Sequence, residues 1–239
     1  MAQIGTLLTI RRLRALSILF VAASLVLADS IGATLLGSEQ IAFKVYRDGE
    51  PLGRHEVAFR EEDGMLHVEV DIELEVRLAF IPLFSYRHSN REVWKDGRLL
   101  SIETETDDDG ERYWMRGLAT ENGFSVDGSS GRFLAPADVV PTSYWNPKTV
   151  ESSPLLDTQY GRLVEVEAAP TGVEVVPVAG RDIEAQRYRL TGDLTLDLWY
   201  TAEGEWAKTT FEARGAEVTY ERQNLPDRQL DSNSWKNEP

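Results

Sequence analysis

Residues 66–80 read LHVEVDIELEVRLAF, with an apolar side chain at every second position. Successive side chains of a pleated strand point to opposite faces, so this alternation predicts one strand with an apolar face and a mostly acidic face. At about 3.3 Å per residue the strand would be roughly 50 Å long, two to three times the usual length. Because a strand of that length accumulates twist, the sheet around it must coil or bend.

The rest of the chain favours the same fold class. Short apolar runs are separated by turn signals such as Asp48-Gly49, Asp96-Gly97 and Asp109-Gly110. Prolines make residues 133–154 irregular, and one extra residue at Gly53 would form a β-bulge. We therefore expect an all-β protein of about a dozen strands: a strongly curved antiparallel meander that forms an open barrel or β-spiral.

The amino terminus has the pattern of a bacterial secretory signal. A basic stretch precedes an apolar run over residues 15–28, and small residues offer cleavage after Ala28 or Ala33. The run is shorter than the ~20 residues that span a bilayer, so we expect cleavage and a periplasmic location, with an uncleaved anchor as the alternative. The general secretory route fits better than the twin-arginine route that Arg11-Arg12 would suggest.

Three segments follow from these patterns: a signal peptide at residues 1–33, a single antiparallel β domain at 39–221 and a mobile polar tail at 222–239. The chain has no cysteine, which excludes disulfides, thiol catalysis and lipid attachment through cysteine. No stable membrane insertion is expected after signal cleavage.

Charge excludes another class of partner. Residues 1–33 contain three arginines and one aspartate, so their removal changes 25 basic and 40 acidic side chains to 22 and 39, a net charge of −17. Such a chain would be repelled by phosphate backbones and by anionic membrane surfaces. We expect no nucleic-acid partner.

The hairpin turns predict which residues of neighbouring strands face each other. Two-residue turns would gather a polar and aromatic patch on one face of the meander at residues 86–118, formed by His88, Asn90, Glu92, Trp94, Glu103, Glu105, Trp114 and Arg116. The opposite face would be core, formed by Val93, Leu100, Ile102 and Met115. Tryptophan faces and paired charges suit a ligand site, although a solvated sheet face with weak ion pairs is the simpler interpretation.

Trp199 and Trp145 are further aromatic candidates for a ligand site. Trp199 would pair with Lys208 and lie diagonal to Trp206, on the face away from the aliphatic residues, so either a second layer covers it or it lines a cavity. Trp145 and Asn146 lie in the proline-rich segment, which could close over the mouth of a barrel; the alternative is a tryptophan that plugs the barrel end.

Catalytic and metal-binding patterns are weak. The three histidines, at positions 55, 67 and 88, lack metal-ligand spacing, so neither a metal nor a cofactor is expected. The run Asp107-Asp108-Asp109-Gly110 is explained by a hairpin turn rather than a calcium loop. The enzymatic alternative is a glycan hydrolase that uses Glu92 with Glu103 or Glu105 as a carboxylate pair.

Six motifs are distinctive: Tyr86-Arg87-His88, Glu92-x-Trp94-x-Asp96-Gly97, Thr106-Asp107-Asp108-Asp109-Gly110, Pro141-Thr142-Ser143-Tyr144-Trp145-Asn146, Leu155-Leu156-Asp157-Thr158-Gln159 and Leu198-Trp199-Tyr200. With these motifs, residues 41–221 resemble an uncharacterised, domain-of-unknown-function family of secreted β-rich proteins of Gram-negative bacteria. The sequence is more distantly similar to periplasmic β-spiral and half-barrel proteins of envelope maintenance, including lipoprotein carriers. That kinship implies a curved sheet with an internal groove, and it is analogy at the level of fold.

Together these observations predict a non-enzymatic envelope protein that binds a small, acyl-bearing or peptide ligand in the concave face. An envelope lipid, a glycan or a lipoprotein-type ligand would be the partner. A structural protein whose sheet edges pair with another envelope protein is the third possibility. The predicted ligand-binding residues are His88, Glu92, Trp94, Trp114, Arg116, Trp145, Asn146 and Trp199.

Overall fold

A computed structural model describes residues 40–78 and 80–223; of residues 78, 81 and 82 only the backbone is described. The predicted signal peptide and all but the first two residues of the predicted tail lie outside this part of the chain. The described residues form sixteen strands: β1 Gln40–Arg47, β2 Glu50–Glu62, β3 Met65–Leu78, β4 Ile81–Lys95, β5 Arg98–Asp108, β6 Glu111–Thr120, β7 Gly123–Gly128, β8 Gly131–Ala135, β9 Val140–Pro141, β10 Leu155–Asp157, β11 Arg162–Val164, β12 Val166–Val178, β13 Arg181–Gly192, β14 Leu196–Tyr200, β15 Trp206–Ala213 and β16 Ala216–Arg222. A short 3-10 helix spans Pro147–Val150.

Thirteen strands form one curved antiparallel sheet in the order β12-β13-β14-β15-β16-β1-β2-β3-β4-β5-β6-β7-β8. Chain order is interrupted only where β16 pairs with β1, so the sheet is a meander made of two consecutive runs. The sheet is curved but not closed, since β12 and β8 stand at its two ends. The predicted all-β, open-barrel class is confirmed.

The central strand β3 is continuous from Met65 to Leu78, as its alternation predicts, but Phe80 lies in the turn that follows and not in the strand. It pairs with β2 from Gly53 to Glu62 and with β4 from Leu66 to Leu78. Val68 and Val70 on the inner face are buried, whereas Glu73 on the outer face is exposed. Burial of each such aliphatic side chain is worth about 1.5–3 kcal/mol, which holds this face against the core.

Bulges bend the sheet at several places. Leu52 is the extra residue opposite the Val45–Tyr46 step, so the predicted bulge is present one residue before Gly53. Gly53 itself approaches β3 so closely that an added Cβ would lie 2.0 Å from the carbonyl oxygen of Glu73. Further extra residues occur at Leu100 in β5 and Ala207 in β15. Each bulge changes which later residues face inward.

Two parts of the fold were not predicted from the sequence. Strands β7 and β8 extend the sheet beyond the predicted meander, although residues 123–128 already show alternation at Phe124 and Val126. The sequence pattern predicts separate strands at residues 163–168 and 173–178, but residues 166–178 form one strand, β12, which continues through a bulge at Thr171.

The main core lies on the inner face of the curved sheet. A crossover segment, residues 136–164, closes one end of this space with the small sheet β11-β10-β9 and the buried Trp145. A second, smaller core lies on the outer face, where the β12–β13 hairpin folds over β14 and β15; it is formed by Val176, Val178, Ala185, Trp199 and Ala207.

Candidate ligand-binding cavity

A cavity of ≈ 650 Å³ opens on the inner face of the sheet. This volume lies within the range of about 300–1,000 Å³ that is typical of small-molecule sites. Strands β3 and β4 form one wall, and β14, β15 and β16 form the opposite wall. The walls are aliphatic and aromatic, formed by Leu52, Ile72, Leu74, Val76, Phe84, Leu194, Leu196, Phe211, Ala213 and Val218.

Polar side chains lie at the inner end of the cavity, and we call His55, His88 and Asn90 its floor. The strand registers place His55, Ile72, His88 and Thr106 in one row across β2 to β5, with Asn90 in the next row inward. Along β4, Tyr86 and Phe84 lie between this row and the strand end, so the apolar walls separate the floor from solvent.

The floor histidines are uncharged near neutral pH. Burial lowers the pKa of His55 to about 3, with a further contribution from His88. Burial also lowers the pKa of His88 to about 4. His88 pairs through Nδ1 with the Thr106 hydroxyl at 2.8 Å. Neutral imidazoles offer one N–H donor and one nitrogen acceptor each, which suits hydrogen bonding to an uncharged group.

His55 is held in a setting of aromatic rings. Its ring centroid lies 5.1 Å from that of Trp206, 5.5 Å from that of Tyr220 and 6.2 Å from that of Phe43. The residue is only 3% exposed. Within the described part of the chain, neither of its ring nitrogens has a hydrogen-bond partner.

The mouth of the cavity is charged and is formed by Arg47, Leu83, Arg162 and Arg214 with nearby acidic residues. Arg162 pairs with Asp157 at 3.2 Å and Arg214 with Asp108 at 3.3 Å. The Arg214 guanidinium also lies 4.6 Å from the centroid of Phe84. Phe80, at the tip of the β3–β4 hairpin, is 94% exposed.

Beneath the floor, Glu92 organises a buried hydrogen-bonded cluster. Its Oε2 accepts hydrogen bonds from the indole N–H groups of Trp94 at 2.7 Å and Trp145 at 3.0 Å. Its Oε1 accepts one from Asn90 Nδ2 at 2.7 Å. Burial raises the pKa of Glu92, against the lowering effect of the hydrogen bonds that it accepts. Glu92 is 1% exposed. Because Glu92 lies in β4 and Trp145 in the crossover, these contacts join the crossover to the sheet.

The structure therefore separates the predicted patch. The extra residue Leu100 shifts the register, so Glu92 faces Ile102, Asn90 faces Thr104 and His88 faces Thr106. The inner face holds His88, Asn90, Glu92 and Trp94 together with Ile102 and Met115, which were expected on the opposite face. The prediction of one shared face was wrong because a two-residue turn does not by itself exclude a bulge.

The other half of the patch lies outside. Trp114 is 45% exposed on the outer face, opposite Glu105, and Arg116 pairs with Glu103 at 2.7 Å. Glu92 and either of these glutamates thus lie on opposite faces of the sheet. The carboxylate pair required by the glycan-hydrolase alternative does not form.

The remaining predicted residues also lie away from the cavity. The Asn146 side chain accepts a hydrogen bond from the Lys148 backbone N–H and caps the 3-10 helix. Trp199 is covered by the β12–β13 hairpin, one of the two expected arrangements; its indole donates to Glu174 at 3.0 Å. Trp206 lies on the inner face instead, because Ala207 is an extra residue in β15.

Of the predicted ligand-binding residues, only His88 lines the cavity. Sequence reasoning missed His55 as a member of the site, although the bulge predicted beside it was the signal. Once Leu52, Val57 and Phe59 share a face, His55 must share it as well. Tyr144 and Tyr220 were also missed, and Tyr144 comes from the crossover, whose placement the strand pattern does not determine.

Comparisons with known proteins agree with this fold. Residues 43–223 match a family described as "Domain of unknown function (DUF6134)". The chain belongs to the DUF6134 family. The expected membership of an uncharacterised β-rich family is thereby confirmed. No curated protein matches the sequence.

Among solved structures, the DUF6134 chain is similar to a beta-barrel-like protein of domain of unknown function DUF1849 from Brucella abortus. The TM-score is 0.53 at 10% sequence identity, over 77% of this chain and 94% of that chain. At this identity the likeness concerns the fold alone. In the described residues, no helix is long and apolar enough to cross a membrane.

Proposed function

We propose that this DUF6134 protein is a non-enzymatic periplasmic protein that binds a small, acyl-bearing ligand in the cavity on the inner face of its sheet. The observation that carries the proposal is the apolar-walled cavity of ≈ 650 Å³, which the core residues leave open. A filled interior would instead have favoured a purely structural role.

The walls favour an acyl chain over a glycan or a peptide. Each methylene group transferred from water to such walls contributes about 0.8 kcal/mol. A chain of about fifteen methylenes would gain roughly 12 kcal/mol, and the cost of association, at least about 4 kcal/mol, leaves about 8 kcal/mol. Micromolar binding is therefore within reach of the apolar surface alone.

The proposed location rests on the amino-terminal sequence, which has the pattern of a secretory signal. We do not propose the enzymatic alternative, because Glu92 is buried and separated from Glu103 and Glu105 by the sheet.

Binding is tested by titrating the purified protein with a fluorescent long-chain fatty acid, alongside native mass spectrometry of protein isolated from its own periplasm. We expect saturable binding with a dissociation constant in the micromolar range or below, and a co-purifying lipid mass. Absence of both on folded protein would refute the proposed function.

A matched pair of variants places the ligand. Leu74→Trp fills the cavity from the inner face of β3 and should weaken binding at least about tenfold, by removing the space that buried methylenes require. Leu118→Trp makes the same change on the outer face, where Leu118 is 62% exposed, and should leave binding unchanged. Equal effects of the two substitutions would place the ligand elsewhere.

A further inference from the structure

The cavity floor contains polar groups that the rest of the protein does not satisfy. Within residues 40–78 and 80–223, the two ring nitrogens of His55 and the Oδ1 of Asn90 are buried without a hydrogen-bond partner. His88 uses Nδ1 for Thr106 and makes no further hydrogen bond within that part of the chain. A buried polar group without a partner is rare in proteins, because leaving it unpaired costs stability.

The orientation of Asn90 is determined by its neighbour. Its Nδ2 donates to Glu92 Oε1 at 2.7 Å, and a carboxylate oxygen can only accept from that amine. The Oδ1 atom is therefore the free end of the amide, and it requires a donor. His55, as a neutral imidazole, offers one donor and one acceptor. The floor is therefore complementary to a ligand group that both donates and accepts a hydrogen bond.

The floor is also unsuited to a charged group. Burial lowers the pKa of His55 to about 3, so the imidazole is uncharged near pH 7 and presents no positive charge to an anion. The arginines Arg47, Arg162 and Arg214 lie at the mouth, beyond the apolar walls. A carboxylate at the floor would therefore be buried without a cationic partner.

We propose that His55, His88 and Asn90 form a hydroxyl-binding subsite, and that the ligand is a long-chain alcohol or hydroxyl-bearing acyl lipid that enters the cavity with its hydroxyl first. A hydroxyl donates to Asn90 Oδ1 and accepts from an imidazole N–H, whereas an ester or ketone only accepts. The chain then lies along the apolar walls toward the mouth. This inference rests on the proposed function and specifies its ligand class.

The test compares ligands of one chain length on the folded protein. Decane, decan-1-ol and decanoic acid are titrated near pH 7 against bound 1-aminoanthracene, an uncharged fluorescent probe. We expect the alcohol to displace the probe at a concentration about tenfold lower than the alkane and at least about tenfold lower than the acid. This ranking is measured on the unmodified protein, so it does not depend on any variant.

Two matched variants then identify the residue responsible. His55→Phe removes the floor imidazole and should weaken the alcohol about tenfold, to the level of the alkane, without changing the alkane itself. His67→Phe makes the same substitution on the outer face of β3 and should change neither.

The outcomes are distinguishable. If none of the three compounds displaces the probe, the proposed function fails and the subsite with it. If all three compete equally, or if the acid binds most tightly, the cavity binds apolar chains but the hydroxyl subsite is refuted. Equal loss of alcohol and alkane binding in His55→Phe would assign His55 to packing alone.

Discussion

Replacement of Glu92 tests how the crossover is held against the sheet. In Glu92→Ala the indole N–H groups of Trp94 and Trp145 and the Nδ2 group of Asn90 lose their acceptor, and all three residues are buried. An unsatisfied buried donor costs about 1–3 kcal/mol, so the three together predict a loss of roughly 6 kcal/mol in the free energy of unfolding. Glu92→Leu, which restores apolar volume but not the acceptor, should lose a similar amount.

Glu92→Gln should behave differently. Its remaining carboxamide oxygen can accept from the indoles, and its amide N–H can donate to Asn90 if that amide rotates and presents Oδ1, which has no partner within the described residues. The glutamine side chain is uncharged, so we expect the free energy of unfolding of Glu92→Gln to change by about 1 kcal/mol or less. The double variant Glu92→Ala/Trp145→Phe should lose less than the sum of its parts, because the two changes remove one shared hydrogen bond.

The assay is urea-induced unfolding near pH 7, followed by tryptophan fluorescence and far-ultraviolet circular dichroism. Glu103→Ala is the matched control, since Glu103 lies on the outer face in an exposed ion pair with Arg116. It should cost less than about 1 kcal/mol. If Glu92→Leu were as stable as the wild type, the buried hydrogen bonds would not stabilise the fold. If Glu92→Gln lost as much as Glu92→Ala, the charge rather than the geometry would be required.

Three further predictions concern other parts of the fold. Burial lowers the pKa of His55 to about 3 and that of His88 to about 4, so the stability linked to these groups is present above pH ~6.5 and is lost as the pH falls. The free energy of unfolding measured near pH 5 should be lower by about 2 kcal/mol per histidine than above pH ~6.5. In His55→Phe the part of this loss that is due to His55 should disappear. Gly53→Ala should destabilise by about 1–3 kcal/mol in urea, since its Cβ would lie 2.0 Å from the Glu73 carbonyl oxygen; an unchanged midpoint would contradict that close approach. Phe80→Ser should alter the free energy of unfolding by no more than about 0.5 kcal/mol, because the side chain is 94% exposed, and a larger loss would indicate a contact outside the described residues.

Much of the fold follows from local pattern. The alternation in β3 determined a continuous strand with one apolar face, and the mismatch between Leu52 and Val57 located a bulge within one residue. Short aspartate-glycine turns placed the next hairpins. These features depend on neighbours in sequence, where side-chain direction follows from the pleat alone.

The site depended on contacts that the pattern does not contain. Glu92 and His88 face inward with Val68 and Ile72 of β3, and one extra residue, Leu100, put Ile102 beside Glu92 and left Glu103 outside. A bulge adds no sequence signal of its own when apolar residues occur on both faces, as the buried Ile102 and the half-buried Val93 do. Only the packing of the curved sheet selected the register.

For this protein, the sequence alone determined an all-β chain with a long, two-faced central strand, because strand periodicity is a local property. The tertiary structure brings His55, His88 and Asn90 together at the floor of an apolar cavity, and beneath this floor Glu92 accepts a hydrogen bond from Trp145. The strand registers align His55 and His88 on either side of β3, whereas the curvature of the whole sheet and the placement of the crossover enclose them.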